Sequence, residues 1–391
     1  MIFDKWRVNH RKGLMILISL FFICIAGLVF SIIYYSFFHK TSKTILPVYE
    51  EIYASKTSFQ EKIKEIDYAI YDAFYNNGIR EKDVFFQDVE PRRINGYAWD
   101  FAELTVRCKD IMSAHNVVAS LFRTLSDVGT EVDFRKQAVG KNGIVCHVFV
   151  NGYHTHRIFL KSANIYDSKT HVRPKLAIII DDLGYDKDMA FSFMQLDIPI
   201  TFSVFPVAPY TDDIVKMANE AGREILLHLP MEPKNYPFIN PGPGTLFLSM
   251  SADQIRGTLA QDLGRVPLAC GVNNHMGSSF TESRSKMIVV LKELKRRHLF
   301  YIDSRTTSGT VGFKLAEEIG LPAAERNVFL DNELDFKAIR IQMERLLSLA
   351  RHKGSAIGIA HPYKETLEVL KEYQPSIKTE FKAVCASDMV S

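Results

Sequence analysis

From Lys175 to the C-terminus, short apolar runs alternate with segments whose apolar residues recur every three or four positions. The runs are 176–180, 200–205, 225–229, 271–274, 299–302, 328–330 and 356–360. A strand covered on both faces reads as a continuous apolar run, so this alternation predicts parallel strands joined by crossover helices. Local punctuation agrees. Ser251 and Gln254 form a capping box ahead of Ile255, Leu259 and Leu263, with Gly264 as the stop. Thr211 and Gly222 bracket a second helix, and Asp335 and Gly354 a third.

The preceding stretch is patterned differently. Phe59, Ile63, Ile66, Ile70 and Phe74 recur at helical spacing up to Asn77 and Gly78. A strand-like stretch follows at 97–106, a second helix near 114–125, and then 146–150 and 153–160 flank Asn151-Gly152, a strong hairpin signal. Residues 41–165 therefore predict a small α+β domain, a spacer or partner-binding module. Counting outward from a two-residue turn sets His147 opposite His156, with His154 on the same face. No carboxylate accompanies them at matching spacing, so they read as solvated histidines rather than a metal site.

Residues 14–38, LMILISLFFICIAGLVFSIIYYSFF, carry no charge over 25 positions. About 20 apolar residues suffice to span a bilayer. Tyr34, Tyr35, Phe37 and Phe38 stand where a cleavable signal would place small residues, which predicts an uncleaved transmembrane helix. Lys5, Arg7, Arg11 and Lys12 precede it and Lys40, Lys43 and Lys56 follow. The slight bias favours residues 1–13 in the cytoplasm and the C-terminal domains outside the inner (cytoplasmic) membrane.

Composition narrows the partners. With 391 residues, 47% hydrophobic and 24% charged, the chain is long enough for two or three globular units. A net charge of +3, with no basic run interleaved with aromatics, argues against a nucleic-acid partner. The five cysteines form no CxxC pair, so neither a zinc knuckle nor a redox motif is indicated.

The strand ends carry the chemistry. Ligands of parallel α/β folds bind outside the carboxyl ends of the strands. In order, those ends carry Asp181 and Asp182, then His228, His275, Asp303, Asp331 and His361, and only the second strand supplies neither His nor Asp. One strand-end aspartate usually caps a helix. Repetition around one rim is harder to ascribe to capping, and two adjacent carboxylates in a cleft need a cation or a shared proton.

These residues carry a resemblance. Residues 175 to about 373, roughly half of the chain, resemble the polysaccharide deacetylase family and specifically its divergent branch. IIIDDLG is similar to the family's first motif, whose first aspartate, here Asp181, is implied to be the general base and whose second, Asp182, a metal ligand. HLPMEP resembles the second motif, in which a histidine ligand, here His228, is followed four residues later by another; this chain carries Glu232 there. IAHP resembles the last motif, which implies His361 as general acid and Ile359 as lining for the acetyl methyl. NNHMGS around His275, YIDSRT around Asp303 and the NPGPGTL loop resemble the divergent branch and depart from the ordinary family's arginine-containing third motif. The implied fold is an α/β, (β/α)7-type distorted barrel over 175–391.

Pro230 and Pro233 flank Glu232 and disfavour the helical turn that would bring it beside His228, so His275 is the better third ligand and Glu232 the alternative. Asp182, His228 and His275 suit a divalent metal, zinc (Zn2+) first, with iron, manganese or cobalt as alternatives. The implied activity is metal-dependent removal of N-acetyl groups from an envelope or extracellular polysaccharide. Asp303 and Arg305 are expected to orient a catalytic neighbour, and Asp331 is a cap or a supporting group. Tyr236 and Phe238, in the proline-rich segment after His228, are placed to stack a sugar ring or belong to a plain surface connection. The alternative is a barrel without turnover, serving as a carbohydrate-binding or scaffold protein of the envelope.

Overall fold

The computed structural model describes residues 57–80, 83–95, 97–140, 143–162 and 173–391. The expected transmembrane helix at 14–38 lies outside them. Among the described residues no helix is long and apolar enough to cross a membrane.

The first part is a five-stranded sheet with two helices. Its elements are α1 (Thr57–Asn76), β1 (Val84–Ile94), β2 (Tyr97–Cys108), α2 (Ile111–Val128), β3 (Val132–Val139), β4 (Gly143–Val150) and β5 (Tyr153–Ser162). The order is β1-β2-β5-β4-β3, antiparallel except for β2 with β5. Asp110 caps α2 by accepting from Ser113 N at 2.7 Å. The predicted helical stripe of Phe59, Ile66, Ile70 and Phe74 is buried with Val117, Leu121 and Leu125 of α2.

The Asn151-Gly152 turn forms and Val150 pairs with Tyr153, but the register slips between Val148 and Phe149. Val148 therefore faces His156, and His147 faces Arg157. This bulge corrects the expected trio of imidazoles, because one extra residue on one strand reverses which side chains share a face. His156 turns inward, 2% exposed at its side chain, with Nε2 3.0 Å from Asp67. His147 and His154 stay together, Nδ1 to Nε2 3.1 Å.

The second part comprises β6 (Lys175–Leu183), α3 (Lys187–Met194), β7 (Thr201–Val204), α4 (Thr211–Glu220), β8 (Glu224–Met231), α5 (Ala252–Arg265), β9 (Gly271–Met276), α6 (Arg284–Arg296), β10 (Phe300–Asp303), α7 (Gly312–Glu318), β11 (Ala323–Glu325), β12 (Val328–Phe329), α8 (Phe336–Lys353), β13 (Ser355–Ala360), α9 (Lys364–Glu380) and β14 (Lys382–Val384). The sheet runs β11-β10-β9-β8-β7-β6-β13-β12, with β14 added on β6, and every pairing is parallel. It is a curled parallel sheet whose ends, β11 and β12, do not pair with each other among the described residues. The three-residue strands β11 and β14 are too short to leave a periodic signal. The capping box forms, Gln254 N donating to Ser251 Oγ and Ser251 N to Gln254 Oε1.

Strand alternation sorts the apolar residues into two clusters. Ala177, Ile179, Leu226, Ile302, Phe329, Ile357 and Ile359 pack inside the curl. Ile178, Ile180, Leu227, Leu229, Val272, Tyr301 and Leu330 pack with the helices. Continuing each period of two, Asp181, His228, Asn273, His275, Ser304, Asp331 and His361 fall on the inner face, while Asp303 falls with Tyr301 on the helix face.

The five-stranded sheet docks on α8. Ser348 Oγ accepts from Phe86 N at 2.6 Å and donates to Val84 O at 3.1 Å. Arg345 lies 3.2 Å from Asp67, which also meets His156. Burial alone would raise Asp67, but Arg345 and His156 outweigh it and hold the carboxyl below its ordinary range. Tyr68 OH donates to Asp335, the cap of α8, at 3.0 Å.

Candidate metal centre

The pair of aspartates that ends β6 sits on an irregularity. Ile180 pairs with Phe202 and Leu183 with Val204, so β6 spends three steps where β7 spends two. Asp182 absorbs the difference in the left-handed region, at φ +57°. A regular strand would aim it among Ile178 and Ile180 on the helix face. The bulge turns it into the curl beside Asp181, a re-aiming that bulges commonly provide next to functional sites. Gly184 follows because a Cβ there would lie 2.5 Å from the Ala208 Cβ.

His228 Nε2 lies 2.7 Å from Asp182 Oδ1, and His275 Nδ1 lies 2.9 Å from the same oxygen. One donor atom from each of the three residues falls within 4.8 Å of the others, and all three residues are buried. The short approaches lack hydrogen-bond direction, and both Asp182 oxygens are buried without a hydrogen-bond partner. An unsatisfied buried carboxylate is expensive. Lone pairs of one oxygen and two imidazole nitrogens aimed together fit a divalent cation, and this donor set suits zinc.

The electrostatics agree with that fit. Burial would raise Asp182, yet His275 and His228 outweigh it and hold it well below the carboxylate range. Burial would lower His228, but Asp181 and Asp182 overcome it and raise the imidazole. His275 is pushed down, chiefly by burial. Two carboxylates in one dry pocket draw positive charge to it. The Phe205 ring closes one side, 5.0 Å from His228 and 4.7 Å from His275.

Asn273 connects the parts. Its Nδ2 donates to both Asp181 oxygens, at 2.8 and 2.9 Å. Its Oδ1 accepts from Ser203 Oγ at 2.6 Å and from His228 Nδ1 at 2.9 Å. The carboxylate can only accept, so the amide orientation is fixed. His228 must carry its proton on Nδ1, leaving Nε2 free to ligate. Asp181 is raised, mainly by burial, against the opposing influence of His228 and His361. His361 is steered in the same manner, its Nδ1 2.8 Å from Asp331 Oδ1 and its backbone N donating to Asp331 Oδ2 at 2.7 Å. Thr366 Oγ1 donates to that second oxygen at 2.7 Å.

Several expected residues stand elsewhere. Asp303, on the helix-facing parity, accepts from Arg305 N, Thr310 Oγ1 and Phe313 N, and so ties the loop into α7. Arg305 directs its guanidinium to Glu325 at 3.1 Å, not to the Asp303 carboxylate. Neither joins the cluster. Glu232 is also outside it: β8 stays extended through Pro230, and Glu232 Oε2 accepts from Leu248 N at 2.6 Å, lacing the following loop back to the strand. Ile359 is fully buried in the inner apolar cluster, two residues before His361 on the same face. The Tyr236 ring packs against Phe247 with centroids 4.9 Å apart and planes tilted by 50°, and Phe238 is 95% exposed. Asn273 and Ser304, which the motifs did not single out, are on the inner face, with Ser304 Oγ 3.3 Å from Asn273 Nδ2. Their parity relative to Val272 and Ile302 was the available signal.

Residues 178–390 match the family model described as divergent polysaccharide deacetylase. The chain is 34% identical over 217 residues to the uncharacterized protein YibQ of Escherichia coli, covering 56% of this chain and 67% of that protein. It is 36% identical over 210 residues to an uncharacterized protein of Haemophilus influenzae, covering 54% and 74%. A solved structure of an uncharacterized protein from Agrobacterium tumefaciens aligns with a TM-score of 0.54 at 25% identity, over 57% of this chain and 92% of that one.

Proposed function

Because the chain belongs to the divergent polysaccharide deacetylase family, we propose that it is a metal-dependent hydrolase that removes N-acetyl groups from an envelope or extracellular polysaccharide. The observation that carries this reading is the convergence of Asp182, His228 and His275 on one buried point, with both Asp182 oxygens unpartnered and Asp181 alongside. Asp182, His228 Nε2 and His275 Nδ1 would hold the ion. A divalent cation in that position supplies Lewis acidity, polarising an amide carbonyl and acidifying water.

The chain's own residues supply the proton transfers. Asp181, its two oxygens held by Asn273 Nδ2, accepts the proton of the attacking water. Because that amide also orients His228, one side chain sets both the base and a ligand. His361 delivers a proton to the departing amine from Nε2, while Asp331 fixes the ring through Nδ1. Asp331 thus supports the acid rather than capping a helix. Ile359, one layer beneath His361, closes the floor against water.

The test is acetate release from N-acetylated glycans by the zinc-loaded full chain, before and after chelation. The reading expects release that chelation abolishes and added zinc restores. Stoichiometric zinc without turnover on any acetylated glycan would instead favour a binding or scaffold protein.

We also propose that residues 14–38 anchor the chain in the inner membrane with the remainder outside the cytoplasm, supported by the uncharged run and its flanking cations. A periplasm-dependent reporter fused at the C-terminus should be active. A cytoplasmic signal removes the envelope glycan as substrate.

A further inference from the structure

A cavity of about 810 Å³ lies between the loop 242–250 and α5. This volume falls within the 300–1,000 Å³ usual for small-molecule sites. Asp262 stands on its wall, 3% exposed, with Oδ2 buried and without a hydrogen-bond partner. The backbone of Gly244 (φ +84°) is pressed against it, since a Cβ there would lie 2.7 Å from Asp262 Oδ1. The chain has covered a carboxyl group and supplied it no donor.

No neighbouring charge accounts for this. The loop 242–250 contains no titratable side chain. Arg265 of α5 is exposed at the rim, and Lys286 of α6 is committed to the Met250 carbonyl at 2.5 Å. Burial alone pushes Asp262 up to about 7. Buried polar groups left unpaired in a native fold call for an explanation, and a ligand's donors provide one.

The surrounding chemistry identifies the ligand class. Phe247, its ring tilted against Tyr236, contributes an aromatic side chain to the lining, and Thr258 and Gln261 add a hydroxyl and an amide. A carboxyl group beside an aromatic face matches a pyranose, whose hydroxyls donate to the acid while its C–H face packs on the ring. Val207, also on the wall, lies two residues beyond Phe205, the ring that flanks His228 and His275. The wall of the cavity thus reaches the loop that follows β7, the loop that also carries Phe205.

We propose that this cavity is a saccharide subsite, in which Asp262 accepts hydroxyls of a sugar unit remote from the acetamide being cleaved, so that the chain acts on a polymer rather than on single sugars. This rests on the deacetylase reading of the metal centre. Hydroxyl donors favour the ionised carboxylate, so binding lowers the Asp262 pKa and affinity rises with pH through about 7.

The experiment is calorimetric titration of the zinc-loaded full chain with an N-acetylglucosamine tetramer and with the monomer, at about pH 5.5 and about pH 8.5, for the wild type and Asp262→Asn. The wild type should bind the tetramer about tenfold or more tightly than the monomer, and more tightly at the higher pH. Asp262→Asn should lose most of that tenfold and the pH dependence, with zinc content unchanged. A folding defect is separable. The raised Asp262 pKa stabilises the native state below about pH 4 and loses that contribution as pH rises through about 7, so the variant should melt no lower than the wild type at the higher pH. Unchanged tetramer affinity in the variant overturns the subsite. Asp262-dependent tetramer binding without acetate release removes the deacetylase reading and leaves the subsite standing. Acetate release with an unaltered KM in the variant does the reverse.

Discussion

Asp182→Asn is expected to abolish stoichiometric zinc binding. The variant keeps the size of the side chain, its left-handed backbone and the neighbouring histidines, but removes the charge shared by His228 Nε2 and His275 Nδ1. Loss of a residue that only orients a ligand typically weakens a metal site about 10–100-fold. Loss of the sole anionic ligand should exceed the upper end of that range. Two readouts check it independently of turnover. The first is zinc content after dialysis. The second is thermal: free zinc at about 100 times its Kd should stabilise the wild type by about 2.7 kcal/mol, a rise of several degrees in Tm, and leave the variant unmoved. A variant that retains one zinc per chain and the same thermal shift would mean that the three side chains do not grip a common ion.

The same bulge explains what sequence could and could not supply. The strand ends were legible because parallel strands buried on both faces read as apolar runs, and the rim residues stand at or just beyond their ends, His228 one residue inside its run. The metal trio was legible for that reason plus the resemblance. Asp303 departs from the rim because a place directly after a run does not fix which face a side chain takes. Ile302 inside and Tyr301 outside put it with the helices, where backbone N–H groups of the α7 loop occupy it. Asn273 shows the converse, since an asparagine within an apolar strand advertises no chemistry until its four partners are in place. In the hairpin, a one-residue slip moved His156 from the expected face into contact with Asp67. Bulges leave no compositional mark, so in β6 and β5 alike side-chain direction had to come from the fold.

Asp181→Asn is expected to reduce kcat for acetate release by about 10²–10⁴-fold, the usual contribution of a positioned general base. Zinc content and KM should stay close to wild type. The separation follows from the geometry: Asp181 makes two hydrogen bonds to Asn273 Nδ2, whereas the unpartnered oxygens facing the histidines belong to Asp182. An amide at 181 can still accept from Asn273 through its oxygen, so the orientation of Asn273 and hence the Nδ1 proton of His228 should survive. Asn273→Ala is the informative companion. It removes the support of both Asp181 and His228, so kcat and zinc affinity should fall together, in contrast to the selective loss at 181. The measurement is acetate release under saturating glycan, with zinc quantified on the same preparations. If Asp181→Asn sheds zinc along with activity, Asp181 is a ligand rather than a base. If it retains at least half of the wild-type rate, the proton goes to another group. Either result would break the division of labour between adjacent carboxylates that the bulge at the end of β6 makes available.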